Sequence, residues 1–352
     1  METPKRVLVI GGTGAQGMHV VPAFLQEEGD MPSPYTVRVL TRDPSSHRAR
    51  ELTRLGAECV RGRFDSAEDV AAALQDCYAA FVNTDTYTVG ARRELFAAIK
   101  IYEAAKRTPT MRHLIWSGLD YGSKLGKYAA MYRTEHHDAK GAFYEFLRAQ
   151  PSSTDTDALA WTALSSGVYM EMLNYPLCGP LTRRADKTFV FAAPIGDGHM
   201  PMIALADLAW WARHALDHRA QTSGAELRIA SAMVAWDDLV ATFTRVTGQR
   251  AVHARLSVEE WLACFTGRDR PVASEGGGMT IAESFAGFWC LWRDGVIERD
   301  MEWVRAVHPG TRSLEMWMRE TGYTGTIGSA ALKNAEDRKA RLLPDVVVTA
   351  TL

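Results

Sequence analysis

His136 and Lys140 stand four apart in His136-His137-Asp138-Ala139-Lys140, a spacing that puts both on one face of a helix. A lysine there can clamp a sugar hydroxyl, and a histidine near its ordinary pKa of about 6.5 can exchange protons. Ser117 ends the apolar run His113-Leu114-Ile115-Trp116-Ser117 and offers a hydroxyl at a strand exit. Together they suit hydride transfer to a carbonyl, which needs a proton donor and a cation beside the sugar that carries the hydride. No tyrosine stands one turn before that lysine. Tyr121, Tyr128 and Tyr132 lie just upstream and offer phenols instead. The same His-His-Asp-Lys run also suits a plain solvated helix face.

Near the start of the chain, Val7-Leu8-Val9-Ile10 runs into Gly11-Gly12-Thr13-Gly14-Ala15-Gln16-Gly17, and an apolar helical pattern follows at Val20, Val21, Phe24 and Leu25. This is buried strand, glycine turn, helix. Gly11 permits the tight turn, Gly14 lets backbone approach a pyrophosphate, and Gly17 lets the helix pack on the strand. Free amides at the helix start, with Thr13 and Gln16 beside them, then face phosphate. Strand-like and helical runs alternate through Thr36–Leu40, Ser46–Leu55, Glu58–Gly62, Ala67–Leu74, Ala79–Asn83, Arg92–Lys106, His113–Ser117, Thr134–Ala149 and Ala160–Leu164. The pattern predicts an α/β fold with a Rossmann-type doubly wound parallel sheet, its ligand crevice beyond the strands' carboxyl ends. Asn83 and Thr84 leave the fourth strand toward that crevice, and Tyr169 and Glu171 leave the sixth as substrate-side candidates.

The adenosine end shows which dinucleotide to expect. An NAD site commonly has a carboxylate after the second strand, whereas a 2′-phosphate needs cations. Here Leu40-Thr41 leads to Arg42, whose guanidinium can grip a phosphate, so NADP(H) is the expected cofactor. The alternative is an Arg42–Asp43 surface pair, with Ser45 or Ser46 capping the next helix.

Residues 1–170 should form the nucleotide-binding domain, rejoined by about 203–232. Residues 171–202 and 233–330 should form a smaller, mainly helical substrate-side lobe, with 331–352 as a C-terminal tail. The tail joins a charged helix after Lys333 to Val346-Val347-Val348-Thr349, which reads as edge strand, frayed end or partner-binding arm. Aromatic residues at Phe288, Trp289, Trp292, Trp303 and Trp317 suit lobe core or a flat aromatic pocket. His199 sits in a loop that can overhang the substrate, and Asp207 reads as a helix cap.

Bulk properties exclude several classes. A net charge of −2, with 47% hydrophobic and 23% charged residues, gives no electrostatic case for nucleic acid or an anionic membrane. Five scattered cysteines without a Cys-x-x-Cys pair suggest reduced thiols, and no metal site is expected. The early first strand leaves no room for a signal peptide, and no apolar run spans a bilayer. A cytoplasmic protein with a small-molecule substrate is the expectation; oligomeric state stays open.

The glycine motif, Thr41-Arg42-Asp43-Pro44, Trp116-Ser117-Gly118, His136-x-x-x-Lys140-Gly141 and Pro201-Met202-Ile203-Ala204-Leu205-Ala206-Asp207-Leu208 together resemble the NmrA-like family. These are atypical short-chain dehydrogenase/reductases related to isoflavone reductase-like enzymes, and the likeness extends to His308-Pro309 and Leu314-Glu315-Met316-Trp317. It implies a lysine at position 140 that binds the ribose or takes part in catalysis. Two functions follow from it: an NADPH-dependent reductase of a small, fairly apolar carbonyl or enone, as in specialised metabolism, or a non-catalytic NADP(H)-sensing regulator with a protein partner. Two departures stand out. Arg63 follows Gly62 where many relatives carry an acid, and Met172 stands where an asparagine is common.

Overall fold

The computed structural model describes residues 3–352 apart from 28, 30, 156 and 329–341. The charged helix expected after Lys333, and with it the first part of the 331–352 tail, lies outside the described residues, as do Met1, Glu2 and Thr156.

Seven parallel strands form the main sheet: β1 (Lys5–Ile10), β2 (Tyr35–Thr41), β3 (Glu58–Arg61), β4 (Ala79–Val82), β5 (His113–Gly118), β6 (Ala160–Ser165) and β7 (Ala225–Arg228). Their spatial order is β7-β6-β5-β4-β1-β2-β3, so the chain reverses direction across the sheet between β1 and β4. A Rossmann-type fold opens its ligand crevice at that switch point. The register brings Ile10 beside Leu40 and Val82, and Ser117 beside Leu164, which aligns the strand exits that carry the candidate residues.

Alternation along β1 explains the layers. Val7 and Val9 pack with Val20, Val21 and Phe24 of α1 (Gly17–Leu25) and, on the same face, with Leu208 and Trp211. Leu8 and Ile10 point the other way, into a cluster with Val70, Leu74, Ile101 and Phe143. These come from α3 (Ala67–Leu74), α4 (Ala91–Arg107) and α5 (Glu135–Arg148), while α2 (His47–Arg54) crosses from β2 to β3. Trp211 belongs to α6 (Leu205–Asp217), which returns to the sheet just before β7.

The C-terminal part is largely helical, with α7 (Trp236–Thr247) and α8 (Ile281–Arg293) among its helices, and has its own core around Trp236, Trp261, Trp289 and Trp292. Two three-stranded sheets accompany it, one of which joins Val168–Tyr169 to Met200–Ile203 and Ala232–Val234. After the undescribed stretch, Leu343–Pro344 pairs antiparallel with Phe265–Thr266, and Val346–Thr349 is a short helix. The Asp345 side chain accepts from the Val347 and Val348 amides, a cap that favours a helical turn over the extended alternative.

Candidate active site

A cavity of about 480 Å³ lies along the carboxyl ends of β1, β2, β4, β5 and β6. At one end it is lined by the glycine turn (Gly11, Thr13, Gly14, Gln16), Arg42, Asn83 and Thr84; Ser117, His136 and Lys140 lie at its middle. Gly11 has φ +83°, and a Cβ there would sit 2.5 Å from the Asn83 carbonyl oxygen, so only glycine brings the turn this close to the β4 exit. Gly17 does not line the cavity; a Cβ on it would meet Gly12 Cα at 2.3 Å, which is the close helix-to-turn packing expected.

Lys140 is buried rather than solvated. Its ammonium donates to Thr84 O (3.1 Å), Asn83 Oδ1 (3.2 Å), Ser117 O (3.3 Å) and Thr84 Oγ1 (3.4 Å). Glu94 Oε1 lies 3.4 Å away, and the Trp116 ring centroid 5.1 Å. His136 and His137 are buried too, so the reading of this run as a solvated face is corrected. His136 packs between Tyr87 (5.3 Å between centroids) and Phe288 (6.0 Å). Burial first, then the nearby His137 and Lys140, hold its pKa well below the ordinary value. The ordinary-pKa proton exchange expected of His136 is therefore replaced by a neutral imidazole. Asp138 turns away and ties down the preceding loop, accepting from Ser123 N (2.9 Å), Ser123 Oγ (2.6 Å) and Thr134 N (3.2 Å).

A second set of polar groups crosses the cleft. Ser117 Oγ donates to Gln16 Oε1 (2.6 Å), and Gln16 Nε2 donates to the Tyr169 hydroxyl (2.9 Å). The glycine turn is thereby fastened to the exits of β5 and β6. Burial pushes the Tyr169 phenol up to about 12, against a smaller lowering by the Gln16 bond, so it stays protonated at neutral pH. None of Tyr121, Tyr128 and Tyr132 lines the cavity; Tyr132 bonds Asp294, and Tyr128 is exposed. The phenols at the cleft are instead Tyr87, Tyr169 and Tyr175.

Just past β2, Arg42 is exposed and lines the cavity. Asp43 accepts from Ser45 N (2.9 Å) and Ser45 Oγ (2.6 Å), and Ser46 caps α2. Arg63 is occupied: it pairs with Asp65 (2.9 Å) and Glu275 (3.2 Å), and Arg93 binds the same two acids. The other end of the cavity is apolar, walled by Val168, Met172, Leu177, Phe265, Phe285 and Phe288, with Leu342 closing one side.

The NmrA-like family model matches residues 3–284. The chain belongs to the NmrA-like family. Among sequence relatives it is 28% identical over 280 residues to the NmrA-like family domain-containing oxidoreductase malD of Malbranchea aurantiaca, covering 73% of this chain and 77% of that one. Among solved structures it superposes on NmrA, a negative transcriptional regulator in complex with NADP, with a TM-score of 0.68 at 18% identity, over 91% of this chain and 95% of that one. It also superposes on the NADPH-dependent quinone oxidoreductase QOR2 of Escherichia coli, complexed with NADPH, with a TM-score of 0.67 at 17% identity, over 90% and 100% of the two chains. At these identities the two superpositions speak for the fold.

Within this NmrA-like chain three expectations need correction. Glu171 does not line the cavity: its carboxylate accepts from Leu205 N (3.2 Å) and Trp317 Nε1 (3.2 Å), fastening α6 and the C-terminal part. Asp207 is not a cap; fully buried, it accepts from Ser231 Oγ (2.5 Å), Arg312 N (3.0 Å) and Arg312 Nη1 (2.6 Å). His199 is exposed and away from the cavity. Of the aromatic group, Phe288 lines the cavity while Trp289 and Trp292 stay in the core.

Sequence reading also missed residues. Glu94, hidden in Arg92-Arg93-Glu94, shares its buried helix face with Ala97, Ala98, Ile101 and Ala105. A charge inside an apolar stripe was the available signal. Phe265 and Phe285 carried none, because long-range packing brings them to the cleft.

Proposed function

We propose that this protein is an NADPH-dependent reductase of a small, fairly apolar carbonyl or enone. The observation that carries this is the continuity of the cavity: a glycine turn and Arg42 at one end, an aromatic chamber at the other, and Lys140 with Ser117 where they meet. Bound NADPH would supply the hydride. Gly11, Thr13, Gly14 and Gln16 would hold its pyrophosphate, Arg42 its 2′-phosphate, and Asn83, Thr84 and Lys140 its nicotinamide ribose. Lys140 would also favour negative charge developing on the substrate oxygen. Tyr169, a neutral phenol beside the chamber, lies among the groups able to face that oxygen. The apolar wall excludes water and favours uncharged ligands. Relatives named as oxidoreductases, such as the fungal malD, support the reaction class and suggest specialised metabolism as the setting.

We take residues 1–170 with 203–232 as the nucleotide-binding part and the remainder up to 330 as the substrate side. We also place the protein in the cytoplasm; among the described residues no helix is long and apolar enough to cross a membrane.

One observation favours a regulatory reading, in which NADP(H) is sensed and a partner protein responds. The residue one turn before Lys140 is a buried neutral histidine, not a phenol. Stopped-flow oxidation of NADPH against aromatic ketones, quinones and enones separates the two. Turnover that Lys140→Ala abolishes while NADPH binding persists supports the reductase. No oxidation with any compound, together with a nucleotide-dependent change in the mass of a partner complex, supports the sensor.

A further inference from the structure

Glu94 is a buried acid to which the reading above gives no role. It stands at the start of α4 with a side chain 1% exposed, and three groups from two other segments converge on its carboxylate. Thr84 Oγ1 donates to Oε1 at 2.5 Å, Thr86 Oγ1 donates to Oε2, and Lys140 Nζ lies 3.4 Å from Oε1. Burying a carboxylate is costly unless it is paired and hydrogen-bonded, and both conditions are met here.

We propose that Glu94 is the positioning residue of this site, the fixed counter-charge that directs the Lys140 amine to the exits of β4 and β5. The proposal rests on the reading of Lys140 as the group that holds the nicotinamide ribose. The geometry supplies the reason. Lys140 has three N–H bonds and five acceptors within 3.4 Å, so it can give up one contact and remain anchored by the others. Asn83 Oδ1 is a side-chain acceptor on the cavity lining and is the contact that a ribose hydroxyl replaces. The Thr84 hydroxyl spends its proton on Glu94 and so presents a lone pair to the lysine. Thr86 grips the second carboxylate oxygen and stops the group from rotating.

Among the described residues, Glu94 is the acid that contacts the Lys140 amine. Around Lys140, α4 contributes Glu94 and its own helix contributes His136 as a neutral ring. Asp85 at the β4 exit also lines the cavity, but its carboxylate accepts from Tyr87 N and Thr88 Oγ1; the groups that reach the amine from the β4 and β5 exits belong to Asn83, Thr84, Trp116 and Ser117. Removing the Glu94 charge takes away the carboxylate that contacts the Lys140 amine and leaves it free to move among its remaining acceptors.

Two measurements on Glu94→Gln test this. The first is the rate of Lys140 acetylation at pH 7.5, read by mass spectrometry without nucleotide; the second is NADPH affinity by fluorescence at the same pH. In Glu94→Gln the acetylation rate should rise by about tenfold, because the amine is no longer held on the carboxylate. NADPH affinity should fall by about tenfold, and Glu94→Asp should restore much of both. An acetylation rate identical to wild type in folded Glu94→Gln overturns the proposal. If that variant does not fold, Thr86→Val takes its place, with a smaller rise expected and an unchanged rate overturning it. Should wild type fail to bind NADPH, the nucleotide reading fails, and the acetylation measurement still judges Glu94.

Discussion

Two buried ion pairs lie close to the same strand ends, and they are built differently. Arg299 is completely buried and meets Asp120 through two bonds of 2.6 and 3.1 Å; its remaining N–H groups reach the carbonyls of Ile229, Ser165, Ser166 and Glu298. Lys140 meets Glu94 through one 3.4 Å contact and keeps one side toward the cavity. The guanidinium is saturated in a fixed fork, so that pair can only hold the exits of β5 and β6 to the C-terminal part. The ammonium is a point charge with exchangeable partners, which suits a group that must accept a ligand. Saturation suits a structural pair, and a spare face suits one that receives a ligand.

The largest effect should come from breaking the saturated pair. Arg299→Ala leaves Asp120 buried with only the partly exposed Arg228 as counter-charge, and should cost about 3–5 kcal/mol in denaturant unfolding. A loss below 1 kcal/mol would remove the contrast between the pairs. Lys140→Ala should act first on function. It should lower kcat/KM by about 100-fold, and because Glu94 loses its counter-charge but keeps both threonine hydrogen bonds, its unfolding cost should be smaller than that of Arg299→Ala.

A pH series extends the comparison to buried groups that carry no charge at all. Burial pulls His113 down to about 3 and lowers His137, and His136 lies well below its ordinary value. Below about pH 6.5 the unfolded chain therefore binds more protons than the folded one. Stability must fall as pH falls, by about 1.4 kcal/mol per pH unit for each fully affected histidine. Urea unfolding at pH 7.5, 6.5 and 5.5 checks this, and a flat profile across that range would show the rings charging in place. The smallest effect belongs to the rim. Arg42→Ala should weaken NADPH by about tenfold and NADH much less, measured by fluorescence titration. Equal losses would remove the 2′-phosphate argument.

Much of the cleft's nucleotide half was legible in the chain. Val7 to Gly17 encodes strand, turn and helix locally, and the strand exits at Asn83, Thr84 and Ser117 follow from counting alternating elements. His136 and Lys140 share a helix face by spacing alone, yet spacing did not reveal that the face is buried against Phe285, Phe288 and the β4 exit. The same limit explains Glu171, a plausible crevice residue by position that the structure turns toward Leu205 and Trp317.

The sequence by itself determined the order of strands and helices, the glycine turn at the first strand exit and the residues that leave the strands beside it. These depend on local propensity and on periods of two and 3.6 residues, which a single chain displays openly. Only the tertiary structure decided which charges are buried and with whom: Lys140 with Glu94, Arg299 with Asp120, Arg63 with Glu275. Burial is set by contacts between residues distant in sequence, and it is burial that decides whether an ionisable group stays charged and keeps a face free for a ligand.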